Sequence, residues 1–212
     1  MKQRLTRRLA RPAARGGSTQ PGATRPDRAD DRDVFVIHGR DERVREKVYE
    51  LLRALDLHPL EWESIVAKTQ LASPTLLEVI ENAINQAQAI LVLLTPDDVV
   101  HLHPALHELR ERTSETAPHL QARPNVLIEL GMALASRRDR TIIVEFGEMR
   151  AVADLGGINV IQFDGTVTAV GKLVERLKGT GCPVNDRGTD WRSPRRFADI
   201  AAYDRKPPLQ RP

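Results

Sequence analysis

Apolar positions along the chain follow two patterns: short unbroken runs, and longer stretches in which they recur every three or four residues. Residues 34–38 (VFVIH), 89–94 (AILVLL) and 141–146 (TIIVEF) are of the first kind. Rich in β-branched residues, they read as strands buried on both faces, the kind that parallel sheets use. Residues 58–62 and 159–163 give two weaker strands. Between them, residues 41–55 place Val44, Val48, Leu51, Leu52 and Leu55 at helical spacing behind Asp41 as N-cap. Residues 74–87 carry Leu76, Leu77, Ile80 and Ile84 on one stripe, with Ser73 expected as the cap and Pro74 at the first helical position. Residues 124–136 and 167–178 complete the helices. Residues 95–122 form a long irregular connection, expected to be partly helical around 106–112; connections of that length are usually functional or mobile.

Strands alternating with helices at this spacing imply βαβ units. The expected fold class is therefore α/β: a flavodoxin-like, doubly wound, five-stranded parallel sheet with helices on both faces. The expected organisation is a disordered basic tail over 1–33, a domain over 34–180 and a C-terminal extension over 181–212. That extension is expected to be docked as far as Phe197 and loose beyond it.

Composition narrows the class. With 212 residues and 41% hydrophobic content, the chain can bury one ordinary core. A single thiol, Cys182, excludes an internal disulfide framework and a cysteine-based zinc site. No apolar run approaches the ~18 residues of a membrane span, and residues 1–14 lack the apolar region of a secretory signal. A cytoplasmic protein without membrane association is expected. The formal charge of +3 is unevenly spread: residues 1–33 hold nine basic side chains against four aspartates, which leaves −2 for the rest. Such a tail lacks hydrophobic periodicity. Charge alone suits it to nucleic acid, but a solubilising extension accounts for the same composition, and nothing further rests on it.

Doubly wound sheets bind ligands beyond the carboxyl ends of their strands, which draws attention to three segments. His38, Gly39 and Arg40 follow the first strand; glycine permits close backbone approach there, and Arg40 can pair with a phosphate. Thr95, Pro96, Asp97 and Asp98 follow the central strand, where the paired carboxylates suit a ribose, a metal ion or simple turn and cap roles. Arg123 to Gly131 (RPNVLIELG) opens a helix at Pro124 and stacks Asn125 and Glu129 on one face, apart from a stripe of Leu127, Leu130 and Leu134. Glu129 is then an acid among apolar neighbours beneath a long loop, although a solvent-facing glutamate fits the same spacing. Trp62 lies on the same rim, where it packs or stacks on a base. The histidines of the long loop (His101, His103, His107 and His119) lack a helix to align them as metal ligands. Ser64, Ser73 and Cys182 have no evident activating partner. Neither GxGxxG nor a P-loop is present, so ordinary hydride transfer and P-loop hydrolysis lack support.

Taken in order, VFVIHG with Arg40 and Asp41, E-W-E at 61–63, AILVLLTPDD, RPNVLIELGMALA and the closing G-T-D-W-x-x-P-x-x-F at 188–197 resemble the bacterial TIR-like domain. That family occurs in anti-phage cyclic-nucleotide systems as STING–TIR and Pycsar TIR effectors. The resemblance implies a TIR fold and cleavage of NAD+ at its nicotinamide–ribose bond, to nicotinamide and linear or cyclised ADP-ribose. The family's catalytic glutamate falls on Glu129. Arg123 and Asn125 match residues beside it, and His38, Gly39, Trp62 and Asp98 match positions that shape the nucleotide site. No cofactor or metal is implied, because the dinucleotide is consumed as substrate. Self-association is implied, sought here around residues 62–73. The family's effectors usually carry a sensor domain beside the TIR, so this chain is expected either to act with a separate cyclic-nucleotide sensor or to be a free-standing domain. Two other readings stay open: a nucleoside 2-deoxyribosyltransferase-like enzyme, which has a related fold and a similar E-x-G helix, and a non-catalytic nucleotide-binding scaffold.

Overall fold

A computed structural model describes residues 30–208 apart from residue 111. The basic tail expected over 1–33 falls, up to residue 29, outside the described residues, as do residues 209–212. Among the described residues the strands are β1 (Asp33–Ile37), β2 (His58–Pro59), β3 (Ala89–Leu94), β4 (Asp98–Val100), β5 (His119–Gln121), β6 (Thr141–Phe146) and β7 (Ile161–Phe163). Five of them form an all-parallel sheet in the order β2-β1-β3-β6-β7. The remaining pair, β4 and β5, is a separate antiparallel ribbon. Every residue of β1 and β3 is buried, as the unbroken apolar runs require of central parallel strands.

Alternate residues of these strands feed two cores. On one face Val34, Val36, Leu91 and Leu93 pack with α1 (Glu42–Ala54) and α6 (Val167–Gly179). On the other, Phe35, Ile37, Ile90 and Val92 pack with α2 (Trp62–Lys68), α3 (Leu76–Gln86) and α5 (Pro124–Arg137). A one-turn helix, α4 (Thr113–Thr116), lies in the excursion between β4 and β5. No helix among the described residues is long and apolar enough to cross a membrane.

Four details differ from the sequence expectation. Helix α3 begins after Thr75, not Ser73, because Thr75 and Glu78 close a reciprocal capping box: the Glu78 N–H donates to Thr75 Oγ1 at 3.3 Å, and the Thr75 N–H donates back to Glu78 Oε2 at 2.7 Å. The irregular stretch contains the β4–β5 ribbon, and its α-helix falls at Thr113–Thr116, beyond the expected 106–112. Helix α2 was not expected at all; only Ile65 on it is buried, so it leaves no periodic trace.

The fourth difference is the C-terminal extension, which stays docked well past Phe197. Phe197 meets the Phe163 ring edge-on at 4.8 Å, Ile200 and Ala202 are buried, and Tyr203 stacks on Phe146 at 6.2 Å. Gly147, at φ +72°, lies so close beneath this segment that a Cβ would stand 2.1 Å from the Ala202 carbonyl oxygen. Only glycine fits there.

Truncating Leu91, fully buried in β3, is expected to cost about 2–5 kcal/mol. Thr75→Ala should cost about 1 kcal/mol through the lost cap, and Leu77→Ala, at a half-exposed position, less than about 0.5 kcal/mol. Urea unfolding of the three variants checks this ranking.

Candidate active site

In the order β2-β1-β3 the chain leaves β1 toward one side and later returns on the other. The crevice at the carboxyl ends of β1 and β3 is therefore the switch point of the sheet. Two loops meet there. The Arg40 N–H donates to Asp97 Oδ2 at 2.7 Å, and a Cβ on Gly39 would stand 2.0 Å from that same oxygen and 3.2 Å from Thr95 Oγ1. Glycine at 39 is thus demanded by contact between the loops. The Asp97 side chain is 3% exposed, and its carboxylate is committed to holding the loops together. The Arg40 side chain is exposed, and half-buried His38 turns Nδ1 to the Gly39 carbonyl at 3.0 Å.

Asp98, one residue further, serves differently. It opens β4 opposite Gln121, and its carboxylate pairs with Arg123 Nη1 at 3.3 Å. Arg123 precedes α5 without capping it, because a guanidinium has no acceptor for the helix N–H groups; it reaches back to the ribbon instead. This pair ties the mouth of the excursion to the first turn of α5.

Helix α5 crosses β1, β3 and β6 and packs beside α3. Val126, Leu130 and Ala133 are its buried line; Leu127 and Leu134, expected on the stripe with Leu130, are partly buried against the same core. Glu129 stands next to that line, half-buried, ~7.5 Å along the axis from Pro124. No described residue makes a hydrogen bond or ion pair with its carboxylate, and burial alone raises its pKa above the ordinary glutamate value. Asn125 is exposed one turn earlier on the same face, and Ile128, beside Glu129, is 63% exposed. Trp62 opens α2 and is half-exposed; α2 packs on α3, which places Trp62 one helix away from α5.

The candidates thus form three groups, with Trp62 on α2 outside them: His38, Gly39, Arg40 and Asp97; Asp98 with Arg123; and Asn125 with Glu129. Glu129 lines none of four cavities found among the described residues. The nearest of these along the chain lies across α5, about 330 Å³, bounded by Leu127, Glu145, Met149, Arg150, Leu155 and Gln162. The Glu145 carboxyl there is also raised by burial, in part offset by a hydrogen bond with Gln162. The loop histidines are turned to the backbone: His101 to the Leu102 carbonyl, His107 to the same carbonyl, and His103 to the Ala105 N–H. A group with ligand spacing, Asp30, Asp33 and His58, lies at the amino end of β1, where Lys68 Nζ already pairs with Asp33 at 2.6 Å.

Arg205 was missed by sequence reasoning. Its guanidinium contacts Asp41, the Pro96 carbonyl and Asp97, yet it lies in a segment without periodicity. The available signal was Asp41, read only as a helix cap.

The family model for the TIR domain of CAP12/Pycsar effector proteins matches residues 33–165 of this chain. A search of curated proteins returned no match.

Because burial raises the Glu129 pKa, the folded chain holds that proton more tightly than the unfolded chain. The resulting stability is complete below the unfolded-state value and is lost as pH rises through the folded-state value. Glu129→Gln should therefore melt above wild type at neutral pH, with the gap closing as pH falls through the glutamate range. Equal Tm values at pH 7 would contradict this account.

Proposed function

The chain belongs to the TIR-domain family of CAP12/Pycsar defence effectors, and on that footing we propose that it cleaves NAD+ at the nicotinamide–ribose bond, with Glu129 as the catalytic carboxylate. The observation that carries this reading is the state of Glu129: half-buried, raised in pKa by desolvation and without a described partner. A structural acid in that position acquires a donor or turns to water; a carboxylate kept desolvated and unpaired is poised for a ligand's charge or hydroxyls.

The chemistry asks little more. The glycosidic electron pair departs with the nicotinamide nitrogen, which is cationic in NAD+ and leaves neutral, so no strong general acid is needed. Positive charge develops on the ribose as the bond breaks. The Glu129 carboxylate orients the ribose hydroxyls and stabilises that charge. Water then adds to the anomeric carbon and releases a proton, giving ADP-ribose; attack by the adenine instead gives the cyclised product. Asn125 lies one turn away on the same face and supplies hydrogen bonds to the substrate. Arg40 and the Gly39 backbone serve the diphosphate, His38 and Trp62 the rings, and Asp98 with Arg123 the shape of the entrance. Asp97 acts on the substrate by holding the Gly39–Arg40 loop.

An open carboxylate also accounts for assembly. Water is excluded from Glu129 when a second copy covers it. Exposed Ile128 beside it, together with Trp62 on α2, Leu71 in the connection that follows and Leu76 and Leu77 on α3, provides apolar surface for that contact. A separate cyclic-nucleotide sensor fits upstream as the trigger, with action in the cytoplasm, where NAD+ is abundant.

The test offers the purified chain NAD+ and deoxynucleosides in parallel and follows free base by chromatography. Wild type should release nicotinamide, and Glu129→Gln should lower that rate at least about 100-fold while remaining folded. Release of base from deoxynucleosides alone, or an unimpaired Glu129→Gln, would overturn the reading. In the same assay specific activity should fall on dilution, as nucleotide sites lose their covering neighbour; a constant value across the series would remove the assembly argument.

A further inference from the structure

We propose that Arg205, which lies beyond the family-matched segment, is a positioning residue for the substrate loop at the end of β1. This rests on the function proposed above and concerns the same site.

The extension delivers Arg205 to the carboxyl edge of the sheet. After α6 the chain buries Trp191, Phe197, Ile200 and Ala202 against the α1–α6 face, then crosses Gly147 in close contact. Arg205 then inserts between the two switch-point loops. Its Nη2 donates to Asp41 Oδ2 at 2.8 Å, and its Nη1 donates to the Pro96 carbonyl at 3.1 Å and lies 3.7 Å from Asp97 Oδ1. The side chains of Asp41 and Asp97 are 8% and 3% exposed.

Arg205 reaches both carboxylates, Asp41 through a hydrogen bond and Asp97 through charge at longer range. Asp41 accepts from the Val44 N–H at Oδ1, capping α1, and from Arg205 at Oδ2. Asp97 accepts the Arg40 N–H at Oδ2, while its buried Oδ1 has no hydrogen-bond partner among the described residues and meets the Arg205 guanidinium as an ion pair at 3.7 Å. One planar cation therefore joins the start of α1, the loop after β3 and, through Asp97, the backbone at Gly39 and Arg40. Two buried carboxylates on neighbouring loops repel, and an Asp97 without its cation carries an uncompensated desolvated charge. Removing Arg205 favours separation of the loops and frees the Arg40 N–H. A lysine presents a point charge and cannot bridge both carboxylates with the same geometry.

The experiment compares full-length wild type, Arg205→Ala, Arg205→Lys and Lys206→Ala by hydrogen exchange and by NAD+ kinetics. Lys206 is the control, since it makes only an exposed pair with Glu148 at 3.1 Å. Arg205→Ala should speed exchange of the Arg40 amide and lower kcat/KM on the order of ten- to a hundredfold, mainly through KM. Arg205→Lys should fall between it and wild type at an unchanged Tm, which keeps the test decisive if Arg205→Ala folds poorly. Lys206→Ala should match wild type. An active wild type with both Arg205 variants unchanged in exchange and KM overturns the positioning role alone. A wild type that leaves NAD+ intact overturns the functional reading, and with it any role for Arg205 in that reaction.

Discussion

A parallel sheet buried on both faces has one consequence that governs this molecule: every connection must cross over a face, so all five strands end at the same edge. The carboxyl ends of β1 and β3 are neighbours because their apolar runs pair in register, Val34 with Ala89 through Ile37 with Val92. The residues that follow those runs are thereby brought together although nearly sixty positions separate them in the chain. Backbone hydrogen bonding and apolar burial decide where the chemistry can be; the polar residues at the edge decide what it is.

Those polar residues divide into groups with different physical duties. Asp41 and Asp97 are nearly removed from water; both oxygens of Asp41 and Oδ2 of Asp97 are hydrogen-bonded, and Asp97 Oδ1 faces the Arg205 guanidinium at 3.7 Å. They stiffen the edge. Asp98 and Arg123 are partly solvated and fasten the long excursion to α5. Glu129 belongs to neither set, since it bears the desolvation of a half-buried position without a compensating donor. Such an arrangement works against stability.

Legibility in the sequence tracked periodicity. The bounds of β3 and β6 coincide with the expected ones because long β-branched runs have sharp edges, and α1 begins after Asp41 as its spacing requires. The three-residue strands β4 and β5 and the seven-residue α2 have too few buried positions to impose a period. Glu129 was legible as an acid set into an otherwise apolar helix, and the family resemblance singled it out further. The separate roles of Asp97 and Asp98 were not, because the adjacent carboxylates diverge only once β4 starts at Asp98. Arg205 was invisible for a related reason: its partners lie far away in sequence, and the extension that carries it docks through isolated contacts such as Phe197 on Phe163.

The direction of β1 gives the domain two unlike poles. Whatever precedes residue 30 joins at the amino edge of the sheet, beside Asp33, whereas Arg205 and Lys206 leave from the carboxyl edge. A group fixed at residue 30 itself therefore stands across the full length of the strands from the switch-point crevice. A group fixed at Lys206 stands instead beside that crevice, next to Arg205 and the loops it joins.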